Sequence, residues 1–500
     1  MTNAVSLTTT NLPAIAASGR VDVPQYDRQG LTAGIVHLGV GAFHRAHQAM
    51  AVDRLLTAGL GREFAICGIG VLPSDRRMAD VLTSQDGLYT LLLKHADGRR
   101  EARVIGSIVD YVFAPDDPAA AIERMARPEV TIVSLTVTEG GYFVDQVTGE
   151  FLADDPGIRH DLAHRQAPAT IFGYLVAALK LRRDRGVPAF TVMSCDNVQG
   201  NGHLTGRMLT AYARLADAEF ADWLQSSVRF PNSMVDRIAP VITDADRTET
   251  VTRFGVRDGW PVVAEPFFQW VLEDDFGAGR PPWEHAGVQL VPDVEPYELM
   301  KLRLLNAGHQ ALCYFGYLAG HRYTHEAAQD PAIAAFLTRY LEEATPTLRP
   351  VAGIDLADYK RTLVERFSNP EVRDTLARLG TDTSDRIPKF VLPAVRENLA
   401  AGRPVTLAAA VCASWARYAE GVDEQGAPID VVDRLAERLT ASARRYADDP
   451  VAFLRDPQLF GDLVTEPAFR TPYLAALDSL YRHGAAATLT DLGHDDHPTS

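Results

Sequence analysis

The chain has 500 residues, 46% of them hydrophobic and 23% charged, with 49 Lys and Arg against 65 Asp and Glu for a formal net charge of −16. That length exceeds one ordinary core and predicts two or more domains. The composition is that of a globular protein, and an acidic balance without a basic block excludes nucleic acid and anionic membrane as natural partners.

The Thr-rich stretch 1–29 carries Pro13 and Pro24, has no basic residue before Arg20, and reads as an arm laid over the surface. Next comes GIVHLGVGAFHRAHQAMAVDRLLTAGLG. Gly34–Val40 reads as a buried strand and Arg45–Thr57 as a helix, with glycines at the joint. This is how a dinucleotide-binding unit begins. The turn Gly39-Val40-Gly41-Ala42-Phe43 would cradle the cofactor, although His44 stands where the usual fingerprint has a third glycine. A second apolar strand, Phe64–Val71, precedes Asp75, which lies 34 residues after Gly41. An acidic residue after the second strand grips a ribose 2′-hydroxyl and favours NAD over NADP; the other reading of Asp75 is a solvated loop residue beside Arg76 and Arg77.

Further strands are predicted at Tyr89–Lys94, Ala102–Ile108 and Glu129–Val137. The last is almost continuously apolar and β-branched, as expected of a central parallel strand covered on both faces. It ends in Thr138 and Glu139, and ligands of open α/β sheets bind beyond the carboxyl ends of strands. A helix over Thr170–Arg183 leads to the strand Pro188–Ser194, which ends in Cys195-Asp196-Asn197. Topology therefore puts Asn197 at the same end; a helix cap from Asp196 or Asn197 is the competing reading. FPNSMVDRIAP leads into a strand DRIAPVI, with Asp236 and Arg237 either as an ion pair or at the cleft. Trp260–Asp274 supplies another apolar strand. Four prolines between Pro281 and Pro296 then change the character of the chain.

From Glu298 onward the pattern is helical: Glu298–Ala319, Ala332–Glu343, Leu356–Phe367, Pro370–Leu379, Val391–Leu399, Leu407–Ala419 and Val431–Ala447. The expected fold is thus α/β, a Rossmann-type doubly wound domain over 1–295 followed by a mostly helical, substrate-binding domain over 296–500. The first helix carries Lys301, Asn306 and His309. At about 100° per residue, Asn306 lies roughly 140° and His309 roughly 80° from Lys301, so the three share one side. A lysine held against apolar neighbours tends to lose its proton. Beside a dinucleotide, such a lysine suits oxidation of a secondary alcohol: it takes the hydroxyl proton, while the amides of Asn197 and Asn306 meet the developing alkoxide and His309 orients the hydroxyl or the lysine. The bland alternative is a lysine that snorkels to water and a satisfied core histidine.

Tyr297-x3-Lys301 also has the spacing of the catalytic pair in short-chain dehydrogenases, but those chains are about half as long, and the spacing is read as coincidence. His44-x2-His47 and His321-x3-His325 lack clustered cysteines or a third partner for zinc, so a metal-free reaction is expected. Cys67, Cys195, Cys313 and Cys412 form no CxxC pair and read as buried thiols of a cytoplasmic protein. No apolar run approaches the ~18 residues of a membrane span.

The motifs HLGVGAFHRAHQA, LTVTEGGY, FTVMSCDN, FPNSMVDRIAP, WPVVAEPFFQWVLED, YELMKLRLLNAGH and IDLADYKRTLVERFSNP occur in this order. With them the sequence resembles the long-chain polyol dehydrogenase family, and most closely its members acting on D-mannitol. The resemblance implies reversible, metal-independent oxidation of D-mannitol to D-fructose with NAD. It implies Lys301 as general base, Asn197 and Asn306 as oxyanion hole, His309 as substrate ligand and Glu298 as proton relay. It also implies substrate contacts from Asp236, Arg378 and Arg386. Arg386 replaces a lysine and Ser74-Asp75 an acidic pair, which leaves NAD preferred over NADP but not exclusive. D-arabinitol or D-sorbitol dehydrogenase and fructuronate or tagaturonate reductase are the related alternatives, the last drawing on Arg378, Arg386 and Lys389 for a carboxylate. A protein that senses NAD without catalysis is disfavoured by the filled catalytic positions. The partner expected is a small polyol or ketose, with the chain a monomer or weak oligomer.

Overall fold

The computed structural model describes residues 4–145 and 148–494. The chain divides into two compact units, the first ending at Glu295 and the second beginning at Pro296.

In the first unit, β1 (Ile35–Leu38), β2 (Ile66–Gly70), β3 (Ile108–Phe113), β4 (Ile132–Leu135) and β5 (Thr191–Ser194) form one parallel sheet. Their order is β3-β2-β1-β4-β5, with the first strand in the middle, which follows the 3-2-1-4-5 strand order of the doubly wound dinucleotide-binding fold. Successive side chains of a strand point to opposite faces. Ile35, Ile66, Ile108, Ile132 and Met193 accordingly enter one core, and Val36, Leu38, Cys67, Ile69, Val133, Leu135 and Val192 enter the other. Helix Gln48–Thr57 seals the first face with Met50, Val52 and Leu55. Helices Pro118–Ala126, Ile171–Asp184 and Asn201–Ala216 seal the second. The sheet is doubly wound.

Several details differ from the sequence reading. The helix expected over Arg45–Thr57 is two pieces, Ala42–Ala46 and Gln48–Thr57, broken at His47 with φ −121° and ψ −89°. Tyr89–Lys94 and Arg100–Ile105 do not join the main sheet; they pair antiparallel, with Val262–Ala264 alongside, in a sheet of their own. The strand expected over DRIAPVI lies earlier, at Ser233–Asp236, paired antiparallel with Gln269–Glu273. Two residues beyond its end, Ile238 N–H donates to the Glu265 carboxylate at 2.7 Å and Ile238 O accepts Glu265 N–H at 3.0 Å. The N-terminal stretch is part of the core: Val5–Ser6 pairs with Val256–Arg257, and Leu7, Ile15, Val21 and Val23 pack with Leu88, Leu92, Val104 and Val263.

Among the described residues the second unit has no sheet, only the isolated bridges Tyr323–Thr375 and Val422–Pro428. Helices Pro331–Ala344, Leu356–Phe367, Leu392–Ala400 and Thr406–Ala419 lie where periodicity places them. Pro370–Leu379 shrinks to Leu376–Leu379, capped by Thr375 Oγ1, and Val431–Ala447 shrinks to Ala436–Ala443. Thr324–Gln329, Thr383–Phe390 and the long Pro467–His494, kinked at Gly484, are additional. All four cysteines are free and buried. Among the described residues no helix is long and apolar enough to cross a membrane.

Candidate active site

The glycine turn follows β1 directly. Gly39 has φ +91°, and a Cβ there would stand 2.2 Å from the Thr136 carbonyl oxygen, so only glycine lets the turn close over β4. Thr136 Oγ1 donates to Gly39 O at 2.6 Å. His44, in the third-glycine position, is 1% exposed and stacks on the His37 ring at 3.5 Å. His37 in turn meets Ser134 Oγ at 2.8 Å and Thr136 Oγ1 at 2.9 Å. Burial pushes His37 down to about 3 and His44 well below the usual imidazole range, so both rings are neutral spacers beneath the turn.

Asp75 sits in a short 3-10 turn after β2. Its Oδ2 accepts the N–H groups of Val71 and Leu72, each at 2.9 Å. Oδ1 accepts from none of the described residues. The neighbouring cations are already engaged: Arg76 pairs with Asp116 and lies 4.0 Å over the Phe113 ring, and Arg77 lies 4.5 Å over Trp260.

At the carboxyl ends of β4 and β5, Thr138, Glu139 and Asn197 are all exposed. Thr138 has φ 63° and ψ 170°, a conformation ordinarily reserved for glycine. The helix Asn201–Ala216 starts from Gly200 with no side-chain cap, so neither Asp196 nor Asn197 caps it. Asp236 ends its strand and is 5% exposed. Arg237 donates to the carbonyls of Glu265 and Ala46, at 3.0, 2.9 and 2.7 Å.

In the second unit, Glu298 lies on the α-helix Glu295–Met300, Lys301–Asn306 is a π-helical turn, and α-helix resumes over Ala307–Leu318. The widened turn is visible in Ala307 N–H donating to Leu302 O, five residues back. In i→i+5 bonding, residues five apart lie one turn above one another. Asn306 therefore comes round toward Lys301 instead of standing roughly 140° away, as uniform α-helix would have it. Glu298, Lys301 and Asn306 are 7%, 8% and 9% exposed, and the His309 ring centre lies 4.3 Å from that of Phe367. Arg303 anchors the turn from another side, donating to Thr347 O at 2.6 Å and to both Glu397 carboxylate oxygens at 2.8 and 2.6 Å. Tyr297 Oη donates to Ala352 O at 2.7 Å, a structural use of the residue that mimics a short-chain dehydrogenase pair.

The segment carrying Arg378 and Arg386 docks on this helix. Leu379 O accepts from Gln310 Nε2 at 3.3 Å and from Arg386 Nη1 at 2.9 Å. Arg378 is gripped by Asp374, with Nε to Oδ1 at 2.5 Å and a second bond from Nη2 to Oδ2. Asp374 escaped the sequence reading; its only signal there was its place four residues before Arg378.

Residues 33–285 match the mannitol dehydrogenase Rossmann domain and residues 293–481 the mannitol dehydrogenase C-terminal domain. The chain belongs to the mannitol dehydrogenase family. It is 47% identical to mannitol 2-dehydrogenase of Phaeosphaeria nodorum over 94% of this chain and 83% of that protein. To the Aspergillus fumigatus mannitol 2-dehydrogenase it is 45% identical over 97% and 98%. Among solved structures it resembles Pseudomonas fluorescens mannitol 2-dehydrogenase in ternary complex with NAD and D-mannitol, with TM-score 0.86 and 46% identity over 98% of this chain and 99% of that one. It also resembles a substrate-free D-sorbitol dehydrogenase, with TM-score 0.89 and 36% identity over 97% and 100%.

The glycine turn fits a dinucleotide. Gly41 is extended, and a Cβ on it would meet nothing nearer than Gly39 O at 3.9 Å, so the backbone there is open to a pyrophosphate. Asp75 Oδ1 would be the acceptor for a ribose hydroxyl. Gly39, Val40, Gly41, Ala42 and Phe43 would hold the phosphates.

Proposed function

We propose that the protein oxidises D-mannitol to D-fructose, reversibly and with NAD. The likeness to a mannitol 2-dehydrogenase solved with both ligands supports the substrate pair, and the observation that carries the chemistry is the buried Lys301 and Asn306 at the two ends of one widened helical turn. NAD, when bound, is the hydride acceptor. Lys301 Nζ takes the proton of the reacting hydroxyl as the C–H bond gives up its hydride and the carbonyl forms. The side-chain N–H groups of Asn197 and Asn306 donate to the oxygen as its charge develops. His309 orients the same hydroxyl, and Glu298, one turn before Lys301, passes the proton on. Asp236, Arg378 and Arg386 bind the other hydroxyls, and Thr138 and Glu139 line the nicotinamide end. No metal enters this scheme.

Of the three cations that the alternative uronate substrate would draw on, Arg378 already has its charge neutralised by Asp374. This favours the uncharged polyol. A panel of D-mannitol, D-sorbitol, D-arabinitol, D-fructose and D-fructuronate, followed by NADH absorbance, tests the reading. Preference for D-mannitol and D-fructose is expected; preference for the acid overturns it, and tight NADH binding without turnover on any of them marks a sensor. Four free buried thiols suit a reducing compartment, and we place the protein in the cytoplasm as a monomer or weak oligomer, which cell fractionation and sedimentation test.

A further inference from the structure

We infer that Asp196 is a positioning residue, whose carboxylate holds Thr138 in a strained conformation and thereby fixes the 138–139 turn against Asn197. The inference rests on the proposed roles of Thr138, Glu139 and Asn197. β4 and β5 run parallel with Leu135 opposite Ser194, and the last backbone bond between them is Cys195 N–H to Leu135 O at 2.9 Å. Beyond it the Asp196 side chain replaces the ladder. Oδ2 accepts Val137 N–H at 3.0 Å and Oδ1 accepts Thr138 N–H at 2.9 Å. Tyr142, fully buried, donates its hydroxyl to Oδ2 at 2.6 Å and lies 2.6 Å from Ser194 Oγ.

The backbone of Asp196 is fixed as well. Its carbonyl accepts Asn201 Nδ2 at 2.9 Å; Asn201 also donates to Ser233 O at 2.8 Å and accepts Ser233 N–H at 2.9 Å. The carboxylate is thus a rigid fork with its prongs on two successive amides. Thr138 sits at φ 63°, ψ 170°, where a β-branched residue is strained and stays only if its surroundings over-determine it. Here the fork does so. Asn197, the next residue along, takes its place from the same anchor. Asp196 touches neither substrate nor cofactor in this scheme; it acts through Thr138 and Asn197.

The test compares Asp196→Asn with double variants that add Thr138→Gly or Thr138→Ala. Both second changes remove the threonine side chain, but only glycine relieves the backbone. Asp196→Asn should lower kcat about tenfold or more through misplacement, with the Kd for NADH moved far less. Adding Thr138→Gly should recover most of that loss and Thr138→Ala none. Independently of turnover, amide exchange across residues 136–142 should accelerate on the order of tenfold or more in Asp196→Asn. If Asp196→Asn does not fold, Tyr142→Phe takes its place, with a smaller loss of kcat and the same glycine-only rescue. An unchanged kcat, unchanged exchange, or equal rescue by alanine and glycine overturns the inference. Wild-type turnover of D-mannitol reports separately on the proposed function, and the exchange measurement reads the fork whatever the substrate.

Discussion

Lys301 and Asn306 open and close a single π-helical turn. The turn carries the proposed base and one oxyanion donor, and its widened bonding brings round an amide that regular α-helix would aim elsewhere. Lys301→Ala should lower kcat for mannitol oxidation about 10²- to 10⁴-fold, and Asn306→Ala about 10²- to 10³-fold. NADH binding, read by fluorescence titration, should hardly move in either. A Lys301→Ala enzyme with near-normal turnover would remove the lysine from the mechanism.

The framework was largely legible in the sequence, and the reason is burial. β1, β2, β4 and β5 are covered on both faces, so IVHL, ICGIG, IVSL and TVMS stand out as short apolar runs. β3, reading IVDYVF, lies at the edge of the sheet with Asp110 and Tyr111 half-buried, and its polar interruption hid it. The π turn was illegible because hydrophobic spacing over KLRLLN is the same whether one residue is absorbed into a wide turn or not. Asp196 enters the sequence reading only as one of two alternative helix caps and Asp374 not at all: a carboxylate's work depends on which N–H or guanidinium faces it, and those partners come from tertiary placement.

The grip of Asp374 on Arg378 makes a specificity prediction. The Asp374 side chain is 10% exposed and that of Arg378 58%, so the cation can reach solvent but arrives neutralised. Asp374→Asn keeps a hydrogen-bond acceptor and removes the charge. The ratio of kcat/KM for D-fructuronate to that for D-fructose should rise roughly tenfold. An unmoved ratio would show that Arg378 does not read substrate charge.

For the cofactor, Asp75 Oδ2 is held by two backbone amides, and in the proposed reading Oδ1 would accept a ribose hydroxyl. A 2′-phosphate there meets a carboxylate at close range. Asp75→Asn preserves an acceptor for the turn and abolishes the repulsion, and Arg76 and Arg77 stand beside it in the chain. The NADP/NAD ratio of kcat/KM should rise about tenfold or more. If the ratio stays put, another group reads the ribose.

Glu343 carries the last prediction, one of stability. Its carboxylate reaches across to the start of helix Thr406–Ala419 and accepts the N–H groups of Leu407 and Ala408 at 2.9 and 2.8 Å. Burial opposes those donors and pushes the carboxyl up from 4.5 to about 7. Between these two values the folded chain holds the proton that the unfolded chain has released. The contribution of Glu343 to stability is therefore full below pH 4.5, declines as pH rises to about 7, and is level above that. Glu343→Gln fixes the side chain neutral, so its melting temperature relative to wild type should climb across the same window by on the order of 5 °C. Scanning calorimetry of both proteins from pH 4.5 to 8 measures the difference. A difference that falls with pH would mean that the helix-end amides, not burial, govern this carboxylate.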